Sequence, residues 1–121
     1  MKALGRHLLL ELYECEFDLL NDLERLEKIL VSVVNDAGAT LIDTRFHRFS
    51  PYGVSGVVVI AESHITIHTW PEHNYAAIDV FTCDHSIDYE FVERILVERF
   101  EAGEHETQTI GRGKKISLPQ H

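Results

Sequence analysis

Apolar residues along this chain recur in two rhythms, one of period two and one of three to four. The run L8-L-L-E-L-Y13 is dense in apolar side chains over a strand's length, so residues 3–13 are predicted as a strand. Residues 18–35 switch rhythm. Leu19, Leu20, Leu23, Leu26, Leu30, Val33 and Val34 fall on one side of a helix. Asp18 is placed to cap its start and Gly38 to follow its end. Thr40 to Phe49 alternates again, and S50-P-Y-G-V-S-G56 is turn chemistry. Val57 to Ala61 is apolar on both faces, and Ile65 to Trp70 continues that strand or begins another. P71-E-H-N74 reads as a four-residue hairpin loop returning into a strand from Tyr75 to Cys83. Asp88 is placed to cap a second helix, with Phe91, Val92, Ile95, Leu96 and Phe100 on its buried side. Gly103 interrupts, and E106-T-Q-T-I-G-R-G113 is a last strand before a polar tail.

These elements predict an α+β fold, a two-layer α/β sandwich with an antiparallel sheet carrying two helices on one face. Nothing in the composition divides the chain, so residues 1–121 are read as a single domain. Closing the hairpin with Trp70 opposite Tyr75 sets Ile65 opposite Val80, Ile67 opposite Ile78 and His68 opposite Ala77. Glu62 then faces Cys83. The isoleucine face is fit to receive helices. The other face carries His64, His68, Trp70, Asp79, Phe81 and Cys83, a set too chemically rich for simple solvent exposure. Ser63 and His68 differ by an odd number of residues, so an unbroken strand separates them. A kink at Glu62–Ser63 is the expectation that reunites them.

Charge and cysteine usage narrow the classes. The net charge of −9 argues against a nucleic-acid or anionic-membrane surface, which needs clustered Lys and Arg. No apolar run approaches bilayer-spanning length, and the first residues lack the layout of a signal peptide. A cytoplasmic location is predicted, with Cys15 and Cys83 as reduced thiols. Two cysteines without C-x-x-C spacing exclude the usual structural zinc site. His64 and His68 on a strand would stand about 13 Å apart, too far to share an ion, so no metal is predicted.

The stretch E62-S-H-I-T-I-H68 holds the candidate chemistry. A hydrolytic serine is one reading, although the G-x-S-x-G elbow is missing and a serine needs an adjacent base. The other reading has Ser63 attack its own backbone at the Glu62 carbonyl. The amide becomes an ester, a nearby base removes the Cα proton, and elimination leaves dehydroalanine, which hydrolyses to a pyruvoyl group. That ketone is an electron sink of the kind other enzymes borrow from a cofactor.

The run F46-H-R-F-S-P-Y-G-V-S-G-V-V-V-I-A-E-S-H-I-T-I-H-T-W-P-E-H-N-Y-A-A-I-D-V-F-T-C83 closely resembles the short prokaryotic S-adenosylmethionine decarboxylases, as does the opening L4-G-R-H-L-L-L-E-L-Y-E-C15. The combination of E-S-H, I-H-T-W-P-E and F-T-C is specific to that family. The resemblance implies self-cleavage between Glu62 and Ser63 into a β chain, 1–62, and an α chain, 63–121. Ser63 becomes the pyruvoyl group that forms a Schiff base with S-adenosylmethionine. His68 is implied as the processing base, Ser55 as an assistant to processing and Cys83 as the proton donor. Phe49 and Glu72 are implied to hold the nucleoside, and Trp70 is a candidate for contact with the cationic sulfonium. The resemblance also implies a homodimer of αβ units and a place in polyamine, specifically spermidine, synthesis. An arginine or ornithine decarboxylase on the same scaffold is the alternative. A non-processing ligand-binding dimer is the alternative from another class.

Overall fold

The apolar alternation read from the chain is what pairs the strands. The computed structural model describes residues 3–61 and 63–115. Among the described residues the strands are β1 (Gly5–Tyr13), β2 (Leu41–Arg48), β3 (Val54–Ile60), β4 (Ser63–Trp70), β5 (Tyr75–Thr82) and β6 (Glu104–Arg112). They form a single sheet in the order β2-β3-β4-β5-β1-β6, antiparallel at every pairing. The helices are α1 (Phe17–Leu20), α2 (Leu23–Asp36) and α3 (Tyr89–Arg99). Two crossovers build the layers. The connection from β1 through α2 to β2 spans the sheet, and β2 to β5 then return as a meander. The connection from β5 through α3 to β6 passes over β1, which lies between those two strands.

Burial follows strand parity. Leu8, Leu10 and Leu12 of β1, Val54, Val58 and Ile60 of β3, Ile65 and Ile67 of β4, and Ala76, Ile78 and Val80 of β5 are all buried on the helix side. Against them pack Leu26, Leu30, Val33 and Val34 of α2 and Val92, Ile95 and Leu96 of α3. Each of the buried Leu, Ile and Val side chains contributes about 1.5–3 kcal/mol through loss of apolar surface to water. The predicted register holds: Trp70 pairs with Tyr75, Ile67 with Ile78, and Ile65 with Val80. A one-residue slip would turn every isoleucine outward.

Three details differ from the expectation, and the hairpin loop matches it. The first helix does not begin at Asp18. A single turn, α1, is followed by a break, and Asp22 caps α2 by accepting from Arg25 N at 3.1 Å. The apolar period runs through the break because α1 also packs Leu19 and Leu20 inward. The loop after Trp70 has the expected four residues, a 3₁₀ turn, Pro71–His73, closed by Asn74 in a left-handed conformation at φ 53. β3 begins at Val54, three residues before the predicted strand, inside what reads as turn chemistry. Gly56 permits this, since a Cβ there would lie 2.2 Å from the Phe46 ring across the β2–β3 pair. The last strand begins at Glu104, two residues before expectation.

Candidate active site

β4 carries most of the candidate chemistry, and its pairing decides where each group points. It pairs with β3 and β5 without interruption from Ser63 onward: Ser63 lies between Ile60 and Thr82, and His68 lies between Ser55 and Ala77. The expected kink at Glu62–Ser63 does not reunite Ser63 with His68. Regular pairing begins at Ser63 itself, so strict alternation keeps them on opposite faces. Glu62 and its predicted pairing with Cys83 lie outside the described residues. Ser63 faces the helix side with Ile65, Ile67 and Thr69. His64, Thr66, His68 and Trp70 occupy the open face. Five residues of strand separate Ser63 from His68 by about 17 Å.

On the open face, Ser55 and His68 form a cross-strand pair. Their side chains share a hydrogen bond of 2.8 Å between Ser55 Oγ and His68 Nδ1. When Nδ1 carries the proton and donates it to Ser55 Oγ, Nε2 is left as the basic nitrogen. The backbone beneath this pair is clamped from the other side. Thr69 Oγ1 is buried, donates to Leu20 O at 2.8 Å and accepts from Val54 N at 2.9 Å. Gly53 N donates to Asn21 Oδ1 at 3.0 Å. The flanking residues of both Ser55 and His68 are therefore tied to α1 and the segment after it. Gly53 sits at φ +113, and a Cβ there would press on Thr69 O at 3.3 Å.

The residues implied for nucleoside binding cluster at this same end of the sheet. Phe49 is 48% exposed and meets the His47 ring edge-on, with centroids 4.6 Å apart. Trp70 is 40% exposed and stacks on Tyr75 at 5.2 Å. Glu72 is exposed in the 3₁₀ turn that follows Trp70. A shallow cleft of about 440 Å³ runs beside them, lined by Arg45, His47, Ser55, Thr66 and His68. Tyr75 donates to Glu11, and burial together with that carboxylate pushes its hydroxyl above the ordinary tyrosine range.

Ser63 and Cys83 belong to the opposite end. Ser63 Oγ lies 2.6 Å from Thr82 Oγ1 and 3.3 Å from Ala61 O. Cys83 follows Thr82 directly and is exposed. Phe81 stands beside it on the open face, flanked by His64 and His7 with centroids 5.6 Å away in each case. The structure thus gathers Ser55, His68, Phe49, Trp70 and Glu72 at one end of the sheet and Ser63 with Cys83 at the other. Reading by residue type passes over Thr82, which looks like an ordinary strand threonine. The hairpin register alone sets it opposite Ser63.

The comparisons with known proteins agree with one another. The profile of the S-adenosylmethionine decarboxylase family matches residues 6–113. The S-adenosylmethionine decarboxylase proenzyme of Moorella thermoacetica is 51% identical over 120 residues, covering 99% of this chain and 95% of the relative. The proenzyme of the same name from Thermotoga maritima is 47% identical over 125 residues, with 99% and 94% covered. The crystal structure of the adenosylmethionine decarboxylase from Aquifex aeolicus aligns with the whole chain at a TM-score of 0.87 and 34% identity. A Trypanosoma brucei AdoMetDC-delta26 monomer aligns over 84% of this chain and 44% of its own, at a TM-score of 0.63 and 18% identity, a likeness of fold alone.

Proposed function

The chain belongs to the S-adenosylmethionine decarboxylase family, and on that premise we propose that it is a precursor that cuts itself between Glu62 and Ser63 and then decarboxylates S-adenosylmethionine. Cutting leaves a β chain, 1–62, and an α chain, 63–121, that begins with a pyruvoyl group. The observation that carries this reading is the Ser55–His68 hydrogen bond. An imidazole and a hydroxyl paired on the uncovered face of a sheet hold no core together, whereas they make an oriented base.

In the first step Ser63 Oγ adds to the Glu62 carbonyl carbon. The peptide C–N bond breaks, and the nitrogen keeps the proton that the hydroxyl gives up. His68 Nε2 then takes the Cα proton of residue 63. The electron pair forms the Cα–Cβ double bond, and Oγ leaves as part of the Glu62 carboxylate. The resulting dehydroalanine takes up water and releases ammonia. Once formed, the pyruvoyl ketone supplies the electron sink for loss of CO₂. The site's residues fit such a group: Ser63 opens a strand, and the Cys83 thiol lies on the adjoining strand end to return a proton to carbon. Glu72 accepts from the ribose hydroxyls, Phe49 lies against the adenine, and Trp70 offers its ring to the sulfonium.

Within one chain Ser63 and His68 lie on opposite faces and well apart along β4, which supports a site shared between copies. The Ser55–His68 pair of one copy therefore serves Ser63 of another, across a homodimer. Intact mass after incubation tests the reading. Two fragments meeting at Glu62–Ser63, with CO₂ released from S-adenosylmethionine and not from arginine or ornithine, support it. An uncut chain that releases no CO₂ from any of the three sinks it.

A further inference from the structure

We propose that Thr82 is the positioning residue for self-cleavage, fixing the orientation of the Ser63 hydroxyl before it adds to the Glu62 carbonyl. This inference rests on the proposed self-processing. Its physical basis is the convergence of two donors on one buried oxygen. Thr82 Oγ1 stands 2.6 Å from Ser63 Oγ and accepts from Asp84 N at 2.9 Å. The residue is 3% exposed, so water does not compete for that oxygen. The Asp84 amide takes one lone pair of that oxygen, and the Ser63 hydroxyl donates to the other.

The strand beneath Thr82 is itself held. Tyr89, at the start of α3, places its hydroxyl 3.4 Å from Thr82 O and 3.2 Å from Arg6 O, and Thr82 pairs with Arg6 on one side and Ser63 on the other. The Arg6 guanidinium covers the Tyr89 ring at 4.2 Å. A serine hydroxyl free to turn among three rotamers spends most of its time away from its own preceding carbonyl. Fixing χ1 supplies part of the orientation that makes an intramolecular addition fast. The contact belongs to the precursor alone, since Oγ leaves with the Glu62 carboxylate once the chain is cut. Thr82 accordingly acts before the ester forms, whereas His68 acts after it.

That order sets the experiment. Precursors of the wild-type chain, Thr82→Val, Thr82→Ser and His68→Ala are purified and their cleavage followed by mass. Each is also treated with neutral hydroxylamine, which splits an ester and leaves an amide intact. Thr82→Val is expected to cleave at least tenfold more slowly than wild type and to resist hydroxylamine. Thr82→Ser is expected within about threefold of wild type, and His68→Ala is expected to stall as a species that hydroxylamine splits. A Thr82→Val chain that cleaves at the wild-type rate, or stalls as a hydroxylamine-sensitive ester, overturns the inference. So does a Thr82→Ser chain as slow as Thr82→Val, because the methyl group would then be what matters. Melting of uncleavable Ser63→Ala with and without Thr82→Val controls for folding. If the double variant does not fold, the Thr82→Ser rate and hydroxylamine response decide. A wild-type chain that never cleaves defeats the self-processing reading itself, a result distinct from any of these.

Discussion

Ser55 and His68 are joined by a 2.8 Å hydrogen bond across β3 and β4, on the face of the sheet that Ser63 does not share. The bond fixes the ring's orientation, and in the tautomer whose Nδ1–H donates to Ser55 Oγ it leaves Nε2 basic. Ser55→Ala is expected to slow self-cleavage at least tenfold by releasing that tautomer and ring orientation. His68→Ala is expected to slow it at least a hundredfold, in line with general base catalysis worth about 10²–10⁴. Electrophoresis of precursor against time measures both. Equal rates for Ser55→Ala and wild type would remove the hydroxyl from the mechanism.

Separation of the two half-sites within one chain predicts complementation. Ser63→Ala alone and His68→Ala alone are each expected to stay uncut. Expressed together, they are expected to form mixed dimers in which the His68→Ala chain offers Ser63 and the Ser63→Ala chain offers His68. Cleavage of the His68→Ala chain is expected in that sample only. Mixed dimers verified by mass that hold two uncut chains would show that the site is not shared between copies.

The two thiols are expected to react very differently. Cys15 is 1% exposed, and burial pushes its thiol up to about 11. At pH 8 roughly a thousandth of it is thiolate, and that fraction rises only as pH approaches 11. Cys83 is exposed. Brief treatment of folded protein with iodoacetamide at pH 8 is expected to give one adduct, at Cys83, with Cys15 labelled only after unfolding. Peptide mass mapping reads the result, and early labelling of Cys15 would contradict its burial.

The true start of α2 is open to a stability test. Asp22 caps the Arg25 amide, so Asp22→Ala is expected to destabilise the fold by about 1 kcal/mol. Asp18 makes no such bond among the described residues, and Asp18→Ala is expected to change stability by less than about 0.5 kcal/mol. Denaturant titration of uncleavable Ser63→Ala carrying either substitution separates the two. The reverse ranking would restore the helix start suggested by the apolar period.

Strand identities, the β4–β5 register and the Asp88 cap of α3 were legible in the chain because each depends on neighbours near in sequence. Alternation reports which face is buried, and the isoleucines of β4 tolerate a single register against β5. The motif residues were legible too, through their resemblance to a family with a distinctive pattern. The break between α1 and α2 was not, since both pieces bury leucines on the same side and the period runs on through the gap. The early start of β3 escaped for a similar reason. Its glycine and serine read as turn residues until the Phe46 ring is seen to require the missing Cβ. What only the tertiary structure decided is the geometry of the site. Sequence proximity makes Ser63 and His68 look like partners, but continuous pairing of β4 on both edges forbids the bend that would unite them. The same pairing sets Thr82 against Ser63 and Ser55 against His68, because in a sheet the nearest chemistry to a side chain lies across the strand rather than along it.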